Sequence, residues 1–308
     1  MRDTIVILGV FVADTSYRAD RAPRMGETIL GNSFALGPGG KGSNQAVAAA
    51  KAGGRVHFVS KLGCDPFADM ALATWQDAGV IAAVTQHADS YTGAAYVFIE
   101  EATGNNAIII CPGVAATISV ADIEAQADLI GGAAIFVTQL EQPMPAARRA
   151  LEIARAGGAT TILNPAPAAE LPAGMLALCD YVTPNETEAE ALSGIAVASV
   201  GDATRAAQAL VQQGAGAAII TLGENGALYH DASQTVHVPT LNAGPLRETT
   251  GAGDAFNGGF AAALLRGMGP IEAVKFGTAT AAISVTRAGT APSMPSLAEI
   301  QALLAALA

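Results

Sequence analysis

Short runs of β-branched and aliphatic residues alternate with helical periodicity almost to the end of this chain, and no other property narrows its possible folds so far. Val56 to Ser60, Ala133 to Thr138, Thr160 to Asn164, Tyr181 to Thr183 and Ala217 to Thr221 read as strands. Ser43 to Ala52, Pro66 to Ala78, Pro145 to Ala156 and Ala203 to Gln213 read as helices, with Gly53, Gly79, Gly157 and Gly214 where helix C-caps belong. A strand that passes through a helix into the next strand builds a parallel sheet covered on both faces. The expected fold class is therefore α/β, a doubly wound, mostly parallel sheet flanked by helices. The opening run, Thr4 to Ala13, reads as a buried first strand and not a signal peptide: Asp3 and Asp14 flank it, no good cleavage site follows, and β-branched residues dominate it.

Two segments break the alternation. Residues 13–36, and 91–110 with its Thr103-Gly-Asn-Asn106 turn, look like strands without crossover helices. Such strands would form a small second sheet, a lid over one end of the main sheet. The 308 residues contain no internal repeat and no low-complexity linker, so residues 1–308 are expected to be a single domain with the lid segments inserted in it.

Charge and cysteine content restrict the partners. Sixteen Lys and Arg against 27 Asp and Glu give a net charge of −11, which argues against nucleic acid or an anionic membrane as ligand. No window approaches the ~20 apolar residues of a membrane span. Cys64, Cys111 and Cys179 are odd in number and far apart, without metal-ligand spacing. They are expected to be buried thiols of a cytoplasmic protein.

Two glycine clusters carry the chemistry. Gly37-Pro-Gly-Gly-Lys-Gly-Ser-Asn44 leads into an alanine-rich helix and invites comparison with a nucleotide loop. It is not one: the first glycine of a Walker A motif would fall on Ala35, and Gly42 follows the lysine where a magnesium-binding hydroxyl is needed. Pro38 and the spacing also exclude a dinucleotide fingerprint. Gly39, Gly40 and Gly42 still permit close approach of a ligand, with Lys41 and Asn44 as donors. In the second cluster, Glu248-Thr-Thr-Gly-Ala-Gly-Asp254, the free N–H groups of Gly251, Ala252 and Gly253 at a helix N-terminus would form an anion hole. Asp254, in the first turn, is placed to accept a proton from an attacking hydroxyl, or else simply to cap the helix.

Taken in order, Gly39-Gly-Lys-Gly-Ser-Asn-Gln-Ala46, Gln139-Leu-Glu141, Asn164-Pro-Ala-Pro167, Thr183-Pro-Asn-Glu-Thr-Glu188, Thr221-Leu-Gly223, Gly251-Ala-Gly-Asp-Ala-Phe-Asn257 and Val285-Thr-Arg287 resemble the motifs of the ribokinase-like family of carbohydrate kinases, the phosphofructokinase B group, over nearly the whole length. The resemblance implies an ATP-dependent kinase acting on the primary hydroxyl of a furanose, D-ribose first. It implies that Asp14, Gly40, Lys41, Asn44 and Glu141 hold the sugar and that Asp254 is the base. It assigns Asn185, Thr221, Gly223, Gly226 and Gly253 to ATP, and Glu188, through water, to Mg2+. Glu248, Thr250, Ser284, Arg287, Gly289 and Ser293 match a monovalent cation site, K+ by expectation, built mainly from carbonyls. A homodimer through the lid is also implied.

Bland readings stand beside several of these. Asn185 with Glu186 and Glu188 is a good helix start, Arg287 a helix C-terminal cation, Asp14 a turn residue and Glu141 a loop charge. Trp75 reads as packed in its helix and not as a stacking platform. Two positions depart from the family pattern: Val12 stands where the usual residue is asparagine, and Glu248 where it is aspartate. The first opens the choice of sugar to deoxyribose, a ketohexose or a nucleoside; the second bears on potassium activation. A catalytically silent sugar- or nucleotide-binding regulator is the reading from a different class.

Overall fold

A computed structural model describes residues 2–306. In chain order the elements are β1 (Ile5–Leu8), β2 (Val12–Ala19), β3 (Ser33–Gly39), α1 (Lys41–Lys51), β4 (Val56–Gly63), α2 (Pro66–Ala78), β5 (Ile81–His87), β6 (Thr92–Glu100) and β7 (Asn106–Gly113). Then follow α3 (Val120–Glu124), α4 (Ala127–Gly131), β8 (Ile135–Thr138), α5 (Met144–Gly157), β9 (Thr160–Leu163), β10 (Tyr181–Val182), α6 (Glu186–Ser193) and α7 (Val200–Gln212). The last elements are β11 (Ala217–Thr221), β12 (Ala227–Asp231), β13 (Thr235–Val238), α8 (Ala252–Leu265), α9 (Pro270–Ser284) and α10 (Leu297–Ala305).

Nine strands form the large sheet in the order β13-β12-β11-β10-β9-β8-β1-β4-β5, parallel except where β12 meets β11 and β13. The α/β expectation holds. All four residues of β1 are fully buried, and they alternate between two cores. Ile5 and Ile7 join the core beneath α1, α2, α8, α9 and α10, and Val6 and Leu8 the core beneath α3, α4 and α5. A strand covered on both faces has no polar side to show, which is why these runs are continuously apolar. Chain order reverses between β1 and β8: β4 and β5 extend one way, β9 to β11 the other. Such a switch point opens a crevice at the C-terminal ends of the strands.

The small sheet has the order β3-β2-β6-β7, with β2 and β6 parallel and the outer pairs antiparallel. The opening run therefore differs from the expected single strand. It ends at Leu8, breaks at Gly9 to Phe11, and resumes at Val12 in the other sheet. A Cβ on Gly9 would lie 2.7 Å from the Gly42 Cα and 2.5 Å from Gln139 Oε1, so the chain turns where three segments press together. Hydropathy does not reveal the turn, because both halves are buried. Helix ends also shift slightly. Gly79 is a left-handed C-cap as expected, but α5 ends on Gly158, not Gly157, whose missing side chain instead admits the Gly131 backbone. Of the three thiols only Cys179 is buried; Cys64, past the end of β4, and Cys111, on edge strand β7, are exposed. Among the described residues no helix is long and apolar enough to cross a membrane.

Candidate active site

The residues singled out in the sequence converge on the crevice. Asp14 comes from β2, Lys41 and Asn44 from α1, Glu141 from the turn after β8, Asn185 and Glu188 from the start of α6, Thr221 from the end of β11 and Asp254 from the first turn of α8. They line two adjoining cavities. The larger, about 610 Å³, is bounded by Val12, Asp14, Gly40, Asn44 and Glu141, with Glu248, Thr250 and Gly289 on its rim. The smaller, about 150 Å³, is bounded by Asn185, Glu188, Thr221, Gly251, Gly253 and Asn257. Lys41, Gly251 and Asp254 line both, so they stand where the two cavities meet.

Helix α1 begins without a side-chain cap. Its N-cap, Gly40, has φ 87°, and a Cβ there would fall 2.5 Å from the Val10 carbonyl and 3.0 Å from Val12 N. The glycines of this loop thus admit other parts of the protein: the backbone of Val10 to Val12 against Gly40, the Asp14 carboxylate against Gly39, and Gly9 against Gly42. Glu141 Oε2 accepts the Lys41 backbone N–H at 2.8 Å, giving the bare helix terminus its negative partner. Asn44 Nδ2 donates to Asp254 Oδ2 at 2.9 Å, while Asn44 Oδ1 is buried with no partner in the protein. An orphaned acceptor on a cavity wall suits a ligand hydroxyl.

At the other helix start, Gly251 is the N-cap of α8 with φ 82° and no side-chain cap. One of the three expected free amides is engaged: Ala252 N–H donates to Thr249 O at 3.1 Å, because a turn closes just before the helix. Gly251 and Gly253, which line the smaller cavity, remain the candidates for the expected anion hole. Asn185 and Glu188 form a reciprocal capping box, Asn185 Oδ1 accepting Glu188 N–H at 2.8 Å and Glu188 Oε2 accepting Asn185 N–H at 2.9 Å. The capping role expected as an alternative is present, and both residues still face the smaller cavity. Gly223 and Gly226 flank a turn after β11 and line neither cavity. In the proposed cation region Glu248 Oε2 accepts Gly289 N–H at 2.9 Å. The Ser284 and Ser293 hydroxyls donate to the Ala281 and Thr290 carbonyls, and Arg287 reaches Glu299 at 2.5 Å. The Ser284, Arg287 and Ser293 side chains are thus turned to partners of their own, and the Ser284 carbonyl accepts the Arg287 N–H at 3.1 Å. Trp75 is buried in the core, its Nε1 donating to Ser43 Oγ.

Burial sets the charge states. It pushes the Glu141 carboxyl up to about 7 against the pull of Lys41, and raises Asp254, opposed by the Lys41 ammonium and the amides of Asn44 and Gln45. Burial works against the Lys41 ammonium too, but Asp254, Glu141 and Glu188 outweigh it and raise its pKa. Asp14 is raised from 3.8 to about 6, by burial first and then by repulsion from Asp254. A carboxyl whose pKa is higher folded than unfolded stabilises fully below the unfolded value, and this contribution is lost as pH rises through the folded value. The ligand-free protein should thus lose it between about pH 4 and 6, and Asp14→Asn should not. At pH 8 the variant should be about 1–3 kcal/mol more stable than wild type, with the difference vanishing near pH 3.5, as read by denaturant unfolding at both pH values. A difference independent of pH would refute the assigned cause.

Polar side chains of the same motifs, to which the sequence alone assigns no role, tie the site together. Gln45, Gln139, Asn164, Thr183 and Asn257 are all buried. They link the ends of β8, β9 and β10 to α1 and α8: Gln139 Nε2 to Gln45 Oε1 at 2.6 Å, Gln45 Nε2 to Asn164 Oδ1 at 3.0 Å and Thr183 Oγ1 to Asn257 Oδ1 at 2.6 Å. The available signal was polarity inside apolar runs, as with Gln45 among the alanines of α1.

The chain matches the family model described as pfkB family carbohydrate kinase over residues 2–297. It is 35% identical over 300 residues to the ribokinase of Haemophilus influenzae, covering 97% of each chain. It is also 35% identical over 302 residues to the deoxyribokinase of Salmonella typhi, covering 97% of this chain and 98% of that one. Among solved structures, the ribokinase of Arabidopsis thaliana complexed with ribose and ATP superposes with a TM-score of 0.91 at 28% identity, covering 99% of both chains.

Proposed function

Because the chain belongs to the pfkB family of carbohydrate kinases, we propose that it transfers the γ-phosphoryl group of ATP to the primary hydroxyl of a furanose, D-ribose first, giving D-ribose 5-phosphate and ADP. The observation that carries this reading is the shared wall: Lys41, Gly251 and Asp254 border both cavities, so a sugar in the larger and a triphosphate in the smaller meet at a carboxylate and an anion-hole amide. Asp14, Lys41, Asn44 and Glu141 hold the sugar hydroxyls, with Asn44 Oδ1 as a ready acceptor. As the sugar oxygen bonds to the γ-phosphorus, its proton passes to Asp254, the bond to the ADP oxygen breaks, and the Gly251 and Gly253 amides receive the charge developing on the phosphoryl oxygens.

The donor set fits a hydrated Mg2+. Among the described residues no cluster of three acidic, His or Cys side chains exists to cage a metal, and the smaller cavity offers the Glu188 carboxylate, one oxygen of which is spent on the capping box with Asn185. The ion would neutralise phosphate charge when bound with ATP. Carbonyls around Glu248, Thr250, Ser284, Arg287, Gly289 and Ser293 suit K+ in the same way. Movement of the small sheet over the larger cavity would exclude water and limit ATP hydrolysis. That sheet exposes Tyr17, Phe34, Tyr96, Ile108, Ile109 and Ile110 and leaves β3 and β7 as edges, which supports a homodimer through it. Light scattering should give twice the 30.8 kDa chain mass; a strict monomer would remove this part of the reading. A reaction that draws on ATP and a small sugar fits a cytoplasmic protein.

One observation favours a second sugar. Val12 is buried and lines the larger cavity, and a hydroxyl facing it forfeits about 1 kcal/mol or more. Since the ribokinase and deoxyribokinase relatives are equally similar, this residue favours 2-deoxy-D-ribose as the competing acceptor. The test is ADP release with a panel of ribose, deoxyribose, ketohexoses and nucleosides, with and without K+ and with EDTA. Turnover with a pentose, abolished by EDTA and raised by K+, is expected; sugar and ATP binding without ADP release would instead support a silent regulator. A kcat/KM at least about fivefold higher for deoxyribose would make it the preferred substrate.

A further inference from the structure

Gln45 is fully buried and lines neither cavity, yet it touches the proposed base. Its Nε2 donates to Asp254 Oδ1 at 3.1 Å and to Asn164 Oδ1 at 3.0 Å, and its Oε1 accepts Gln139 Nε2 at 2.6 Å. The orientation of this amide is forced. A carboxylate only accepts, and Asn164 spends its own NH2 on the Thr183 carbonyl at 2.9 Å, so both neighbours on that side present acceptors to Gln45. The oxygen of Gln45 must then face Gln139, which must donate. The chain of amides runs one way, from β8 through α1 to α8, and ends on Asp254.

The two oxygens of Asp254 are therefore held differently. Oδ2 faces Asn44, a residue of the sugar cavity wall, whereas Oδ1 is tied behind the site by a donor that no substrate reaches. We propose that Gln45 is a positioning residue for phosphoryl transfer, fixing the rotation of the Asp254 carboxylate and holding it ionised, with Gln139 and Asn164 locking Gln45 in turn. The inference rests on the kinase reading above.

The charged groups around Asp254 explain why a neutral donor matters. Lys41 of α1 is the opposing charge, while Asp14 of β2, Glu141 after β8 and Glu188 of α6 are like charges. Without Gln45, Lys41 and Asn44 alone would oppose the repulsion and the burial. The Gln45 amide adds no charge of its own, so it favours the carboxylate without drawing it away from the substrate as a second lysine would.

The test is steady-state kinetics of Gln45→Leu and Gln45→Glu from about pH 6 to 9, alongside thermal melts. For Gln45→Leu we expect kcat near neutrality to fall about 10- to 100-fold, KM for both substrates to stay within about threefold, and the acid limb of kcat/KM to move up by about one pH unit. Gln45→Glu keeps the shape but sets a carboxyl against a carboxyl, so the pair shares a proton and the limb should move further, with activity recovering at high pH. An unmoved limb in variants that melt near wild type, or a loss confined to KM, overturns the inference. If Gln45→Leu does not fold, the isosteric Gln45→Glu decides; failure of both assigns Gln45 to the fold and also overturns it. Wild type without sugar-dependent ATP turnover removes the kinase reading and this inference together, whereas an active wild type with an unmoved limb removes the inference alone.

Discussion

Asp254→Asn should lower kcat for sugar phosphorylation by about 10²–10⁴-fold while leaving sugar affinity within a few-fold of wild type. The substitution removes the proton acceptor at the junction of the two cavities and keeps its volume. It also sets a donor problem that the protein can solve. One oxygen of Asp254 accepts from Asn44 and the other from Gln45, so an asparagine NH2 must face one of these amides. Gln45 is locked by Gln139 and Asn164, but Asn44 has an unpartnered oxygen and is free to turn it toward the new NH2, its own NH2 then facing the sugar hydroxyl, which can accept as well as donate. The fold should therefore survive. Calorimetric titration of the sugar together with coupled-assay kinetics checks both halves, and turnover near the parent rate would sink the assignment of the base.

Gly258→Ala, a single methyl group in α8, should destabilise the protein by about 3 kcal/mol and lower its melting temperature by roughly 6–12 °C. A Cβ at 258 would lie 2.4 Å from the Ala48 Cβ and 2.7 Å from both Ala49 N and Gln45 O, in the α1 backbone, with no flexible side chain to give way. The next residue does the same on the other side, where a Cβ on Gly259 would meet Thr280 Oγ1 of α9 at 2.3 Å. Separating α1 from α8 also pulls Asn44 and Gln45 from Asp254, so kcat should fall in the protein that remains folded. Melting followed by circular dichroism, with rates taken well below the transition, measures the two effects; an unchanged melting temperature would mean that the α1–α8 contact yields at no cost.

The site was legible where chemistry concentrates in a few adjacent residues. The Gly251-Ala-Gly-Asp254 and Gly39-Gly-Lys-Gly42 clusters, with Asn185 and Glu188, each have a plain helix-start reading alone, and it is their order along the chain that marks them as a site. The Val12 departure was readable too, since it concerns the side chain alone. The network behind the base was not legible: Gln45, Gln139 and Asn164 are separated by 94 and 119 residues from the partners they meet, and a glutamine in isolation carries no hint of them. The glycines of the first cluster suggest room for a ligand, whereas much of that room is taken by Asp14, Gly9 and the backbone of Val10 to Val12.

Local sequence by itself determined the α/β class, the helices and the strand cores, because periodicity and burial on two faces are properties of neighbours along the chain. It also marked Asp254 and the glycines before it as the candidate base and anion-binding helix start. Only tertiary structure decided that the opening apolar run divides between two sheets at Gly9, that Lys41, Gly251 and Asp254 stand between two cavities, and that a buried amide chain ends on Asp254. Each of these depends on segments far apart in sequence pressing to within a hydrogen bond or a missing Cβ of one another, and no single segment encodes such a distance.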